Sequence, residues 1–166
     1  FRAHPFAGVR TVLLGAAGEV WIPVHGFMPL SKAVEVGNAT EAFFAQHRAT
    51  MEQHGIKSSY LTCFAGTEFV IEPSLYWHDE LGDFRLSLIE PEFQAKWRDI
   101  PADSAKRKIA LALRDGLRDL YDRHGCCHLQ LGKYYPYQEM MANEPLKALL
   151  QGVKNVVDPE RRMNPG

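Results

Sequence analysis

Two runs of strand-forming residues, 58–64 (Ser-Ser-Tyr-Leu-Thr-Cys-Phe) and 67–77 (Thr-Glu-Phe-Val-Ile-Glu-Pro-Ser-Leu-Tyr-Trp), are separated only by Ala65-Gly66. So short a gap with a glycine in it fits a tight hairpin. The hairpin lies between two long helical patterns. The first runs from about Lys32 to His54, with Ala33, Val36, Phe43, Phe44, His47 and Met51 on its apolar face. The second spans 104–123 and places Ile109, Leu113, Leu117, Leu120 and Tyr121 on one stripe. A β-branched and aromatic run over 18–28 precedes the first helix, a short strand over Cys126–Leu131 follows the second, and a last helix covers about Glu144 to Val157. This is the split order of a ferredoxin-like α+β domain: an antiparallel sheet with helices packed on one face, and an extra C-terminal helix.

Local signals refine the pattern. Pro23 cannot donate to a ladder, which puts its strand at an edge or a bulge. Gly37-Asn38 predicts a break or kink in the first long helix, and Gly55 is placed to end it. Residues 78–84 read as a loop and 91–99 as a short helix with Phe93 and Trp97 on one face. Asp103 or Ser104 caps the second long helix, Gly125 ends it, and Pro159 stops the last one.

The 166 residues suit one domain. Nineteen basic against twenty acidic side chains give a net charge of −1, without the basic excess that a nucleic-acid surface needs. No apolar run approaches the ~18 residues of a membrane span, and no signal peptide is visible. Three cysteines fit a reducing cytoplasm better than a disulfide scaffold. A start at Phe1 and a finish at Asn164-Pro165-Gly166 read as a piece of a longer polypeptide.

The densest chemistry lies in 124–137 (His-Gly-Cys-Cys-His-Leu-Gln-Leu-Gly-Lys-Tyr-Tyr-Pro-Tyr). On a strand, His128 and Gln130 share one face, while Leu129 and Leu131 turn to the core. Lys133 and Tyr134 follow just beyond. Histidine can move protons near neutral pH, lysine can balance an anion, and tyrosine can orient a hydroxyl. A sheet face packed under a helix, its polar groups satisfied by backbone, accounts for the same alternation. His25 could face a pocket or be an edge-strand histidine. Tyr76, Trp77 and His78 could line an aromatic pocket or simply end a strand. Glu68 and Glu72 share a strand face, as a carboxylate pair or as part of a solvated surface. The adjacent Cys126 and Cys127 read as reduced thiols.

His128-Leu129-Gln130-Leu131-Gly132-Lys133-Tyr134-Tyr135-Pro136-Tyr137, followed by 153–166 with its Asp158-Pro159 turn and final Asn164-Pro165-Gly166, resembles the C-terminal domain of FAD-linked oxidases, the vanillyl-alcohol oxidase and p-cresol methylhydroxylase family. The stretch Trp21-Ile22-Pro23-Val24-His25-Gly26-Phe27-Met28-Pro29-Leu30-Ser31 fits the start of the same cap domain, so the resemblance covers nearly the whole chain. It implies a substrate-binding cap over a FAD carried by a separate N-terminal domain of the same parent chain. The full enzyme would pass a hydride from a hydroxylated or phenolic small molecule to the flavin. His128, Lys133 and Tyr134 would be catalytic. Gln130, Tyr76 and His25 would bind substrate, and Asn164 and Lys133 would lie near the flavin.

The 2-hydroxy-acid members often carry a His-x-Gly-Asp-Gly-Asn-x-His metal motif and a later Glu-His-Gly. Neither occurs here, so the resemblance is nearer the phenol-oxidising branch and implies no metal. From another class, the chain reads as a free-standing ferredoxin-like module that binds a ligand or a protein through its sheet, with a homodimer as one outcome.

Overall fold

The computed structural model describes residues 9–129, 134–135 and 144–163. The chain divides into two compact units, Phe1–Leu129 and Gln130–Gly166. The first is an α+β layer structure. A short helix α1 (Val9–Leu13) leads into β1 (Val20–Pro23) and β2 (Gly26–Pro29). A 3-10 turn (Leu30–Lys32) opens α2 (Ala33–Gln53), and the hairpin β3 (Lys57–Ala65) and β4 (Glu68–Trp77) follows. Two short helices, α3 (Asp83–Ser87) and α4 (Pro91–Trp97), precede α5 (Ser104–Arg123).

β4 is the centre of a four-stranded antiparallel sheet. β3 pairs along one side of it, and β1 and β2 share the other end to end, Val20 opposite Trp77 and Gly26 opposite Ile71. A single antiparallel bridge, Phe27 to Cys127, adds a fourth position beyond β2. The lateral order of Cys127, then β1 and β2, then β4, then β3 is that of the split β-α-β fold expected from the sequence. The first strand is interrupted immediately after Pro23, where the sequence places an edge or a bulge.

Side-chain alternation sorts the two faces. Val20, Ile22, Gly26, Met28, Ile71, Leu75 and Trp77 turn toward α2 and α5, where Val36, Phe44, Met51, Leu113, Leu117, Leu120 and Tyr121 complete the core. Gly26 lets the Tyr121 ring approach closely, since a Cβ there would lie 3.2 Å from it. The helix ends follow their local chemistry. The Asp103 carboxylate accepts from the Lys106 amide at 2.8 Å as N-cap of α5, and Gly55 and Gly125 end α2 and α5 with φ of 60° and 67°.

Two expectations are corrected. α2 runs unbroken through Gly37-Asn38, because Val36, Thr40 and Phe44 on either side are buried and hold that turn in the helix. The strand over Cys126–Leu131 is, among the described residues, only the bridge at Cys127, and its facing is reversed: His128 is buried and Leu129 exposed. Pairing of Cys127 with Phe27 sets this facing, and hydrophobicity alone does not.

In the second unit, α6 (Glu144–Val157) matches the predicted last helix. Its end is tied by Asp158 as well as by Pro159: the carboxylate accepts from the Lys154 ammonium and from the amides of Arg162 and Met163 at 2.8 and 3.0 Å. The Lys154 ammonium holds this carboxyl below its usual range. No helix among the described residues is long and apolar enough to cross a membrane.

Candidate functional site

The sheet face turned away from α2 and α5 is polar and aromatic. It carries Trp21 from β1, Ser59 and Leu61 from β3, and Glu72, Ser74 and Tyr76 from β4, which follow one another at the two-residue spacing of a strand. α1 and the Leu14–Ala16 segment close one side, strapped down where the Trp21 indole donates to the Val12 carbonyl at 3.0 Å. Together these residues and Arg10 bound a hollow of about 740 Å³. That volume is in the range of small-molecule pockets.

The rim is fixed by charge. Glu19 accepts from Lys57 at 3.1 Å and from the Ala17 amide at 2.9 Å, which holds the α1 loop to the end of β3. Burial pushes the Glu19 carboxyl up, but backbone hydrogen bonds and Lys57 outweigh it and leave it below its ordinary value. One wall is aromatic. The Trp21 and Tyr76 rings stack with centroids 6.1 Å apart, and the Ser59 hydroxyl donates to the Tyr76 oxygen at 3.3 Å. Arg10 lies over the Phe93 ring at 4.1 Å; its buried Nε has no hydrogen-bond partner among the described residues.

Glu72 is the carboxylate among the residues that line the hollow. Its carboxylate is half-buried and pairs with the buried His25, Nε2 to Oε2 at 2.9 Å. A carboxylate only accepts, so Nε2 carries the proton and Nδ1 is the remaining nitrogen. Nδ1 is buried with no hydrogen-bond partner among the described residues. An imidazole donating to one oxygen of a carboxylate leaves the other oxygen oriented to accept a ligand hydroxyl. That is the pattern of a supported general base.

The sequence-derived residues fall in different places. Tyr76 lines the hollow and His25 backs it through Glu72, so these two belong to one site. His128 does not face the hollow. Its side chain is fully buried, with Nδ1–H donating to the His25 carbonyl at 2.7 Å and Nε2 2.7 Å from Asp122 Oδ1. Tyr134 lies in the second unit, its ring edge-on to Tyr135 at 4.9 Å. Gln130, Lys133 and Asn164 lie outside the described residues. Glu68 and Glu72 are not a carboxylate pair: Glu68 sits opposite Pro29 and Ala65, at the far end of the strand from Tyr76.

Sequence reasoning left Glu72 with a solvated sheet face and did not single out Trp21, Ser59 and Ser74. Glu72, Ser74 and Tyr76 alternate on one strand, and that alternation was the available signal. Among the described residues, no group of three His, Cys, Asp or Glu side chains is placed to hold a metal ion. Comparison with known protein families, with curated proteins and with solved structures returns no match for this chain.

Proposed function

We propose that this chain is the substrate-covering cap of a FAD-dependent oxidoreductase, acting on a hydroxylated or phenolic small molecule and working with a FAD-binding domain of the same parent chain. The observation that carries the reading is Glu72: a half-buried carboxylate, paired with a buried histidine, in a hollow on the open face of the sheet. The resemblance of 128–137 and 153–166 to the FAD-linked oxidase C-terminal domain supplies the cofactor.

The residues present fit the substrate half of such a reaction. Stacked Trp21 and Tyr76 suit an aromatic ring, Ser59, Ser74 and Tyr76 offer hydroxyls, and Glu72 offers an acceptor for a hydroxyl proton. The sequence has no glycine-rich phosphate turn, so the dinucleotide half falls to the other domain. When bound, FAD supplies a two-electron acceptor. Glu72 takes the substrate hydroxyl proton on the oxygen that His25 leaves free. Trp21 and Tyr76 hold the ring, and α1 keeps water off that side. Lys133, Tyr134, Asn164 and Gln130 keep the roles that the resemblance implies, on the resemblance alone. The odd, low cysteine count supports a cytoplasmic location in this reading.

The test is to express the chain joined to the reading frame that precedes Phe1 and to record the flavin absorbance. Bound flavin that bleaches anaerobically with a phenolic alcohol supports the proposal, and a protein without flavin counts against it.

A second reading has an observation of its own. Every residue of the nine-residue strand β3 is exposed, and Tyr60, Leu61 and Phe64 present apolar surface beside a backbone edge that pairs with no other strand among the described residues. A non-catalytic module that pairs with a protein strand would use that edge. Leu61→Lys, which charges it, separates the two: it abolishes association in a docking module and leaves flavin binding intact in a cap.

A further inference from the structure

We propose that Asp122 and His128 are positioning residues that set the orientation of His25 and, through it, of Glu72. This rests on the reading of the Glu72 hollow as a substrate site, and it assigns a purpose to the buried histidine in the motif that carries the family resemblance.

The geometry runs in one line from helix to hollow. His25 lies between β1 and β2, which keep one register on β4, Pro23 opposite Ser74 and Gly26 opposite Ile71, so residue 25 stands across from Glu72. Its backbone is held from both sides. One side is held by the Val24 amide, which donates to the Pro73 carbonyl at 3.0 Å. The other side is held by His128 Nδ1–H, which donates to the His25 carbonyl itself at 2.7 Å. His128 is in turn fixed twice. Its neighbour Cys127 exchanges both backbone hydrogen bonds with Phe27, at 2.8 and 2.9 Å, which locks the chain there. Its Nε2 meets Asp122 Oδ1 at 2.7 Å on the last turn of α5, with the His128 side chain completely shielded from solvent.

The sheet core packs against α5, which is a rigid reference. Asp122 transmits that reference through a planar ring with no solvent on either nitrogen to the carbonyl of the residue whose own ring orients Glu72. Supporting hydrogen bonds behind a reacting group fix its rotamer, and their loss costs more than their own energy. Neither Asp122 nor His128 touches the hollow, so their effect must pass through His25.

The His25 ring proton on Nε2 gives a direct readout that needs no flavin. In the chain with 15N-labelled histidine, nuclear magnetic resonance detects this proton, and its exchange with water reports how well the ring is held on Glu72. His128→Gln and Asp122→Ala raise that exchange at least tenfold while the backbone amides in α5 and β4 keep their protection. Asp119→Ala, on the exposed side of the same helix, leaves it unchanged. Asp122→Asn, which keeps the shape and loses the charge, gives an intermediate increase and decides the matter if His128→Gln does not fold. Wild-type exchange of the His25 proton in folded Asp122→Ala and Asp122→Asn overturns the relay. The functional reading fails separately: if Glu72→Gln leaves turnover unchanged in the flavin-loaded protein while the ring proton still responds to Asp122, the relay stands and the substrate site does not.

Discussion

His25 reaches Glu72 Oε2 through Nε2 at 2.9 Å, because β1 and β2 keep one register on β4 and that register sets residue 25 across from residue 72. Residues 21, 23, 25 and 27 alternate onto the open face with Glu72, Ser74 and Tyr76, so the ring follows the alternation of the sheet.

Replacing His25 by alanine leaves Glu72 half-buried without its donor. The expected loss of stability is small, about 1–2 kcal/mol for one hydrogen bond to a charged group, read as a shift in the urea midpoint. Turnover of the flavin-loaded protein falls about 10²-fold, the scale of misplacing a reacting group by an ångström. A full-rate His25→Ala enzyme would remove this histidine from the site.

Asp79 contributes a pH-dependent part of the stability. It is buried and accepts from Arg107 at 2.6 and 2.8 Å, from the Asp103 and Glu80 amides at 3.0 Å each, and from the Trp77 indole at 3.2 Å. Burial pushes this carboxyl up, but the Arg107 guanidinium and the three other donors outweigh it and hold it well below the usual carboxylate range. A carboxyl depressed in the folded state stabilises fully above the unfolded pKa of about 4, and that stabilisation is lost as the pH falls further toward the folded value. Asp79→Ala destabilises by about 2 kcal/mol at pH 7 and flattens the fall in stability below pH 4. Chemical denaturation at pH 7, 4 and 3 measures both, and an unchanged acid limb contradicts the assignment.

The three thiols differ in reach. Cys63 and Cys127 are exposed and Cys126 is buried. Burial pushes the Cys126 thiol up to about 11, so at pH 8 it is almost entirely protonated, and the thiolate is the reacting form. A chromogenic disulfide reagent at pH 8 titrates two thiols in the native protein and the third only in denaturant. Three rapid equivalents would place Cys126 at the surface.

Gly18 carries φ of +86°, and a Cβ there would lie 2.6 Å from the Trp97 ring. Gly18→Ala combines a left-handed backbone penalty with overpacking and costs about 3 kcal/mol. A shift of the thermal midpoint by less than a degree would contradict the close approach of this loop to α4.

The periodic parts of this fold are legible in the residues themselves. Leu113, Leu117, Leu120 and Tyr121 mark the buried stripe of α5, and Ala65-Gly66 marks the hairpin turn, with Gly66 at φ 64°. Where one local signal stood against tertiary packing, packing prevailed: Gly37 costs α2 about 1 kcal/mol, and the buried flanks of Val36 and Thr40 offset it. The site is less legible because its contacts are long-range. Glu72 reads as one more polar residue on a half-wet strand until a histidine from another strand is set beside it. His128 and Leu129 show the limit of alternation. Period two says that neighbours oppose each other, but only the pairing of Cys127 with Phe27 decides which one goes inside.

The most direct measurement is the anaerobic bleaching of flavin by a phenolic alcohol in the reconstituted protein, with Glu72 and with Glu72→Gln. The amide keeps the shape of the carboxylate and can still meet His25, but it cannot take a proton. The account predicts that flavin remains bound and that its reduction slows by at least about 10²-fold, the usual contribution of a positioned general base. Reduction of the Glu72→Gln protein at the wild-type rate would contradict it.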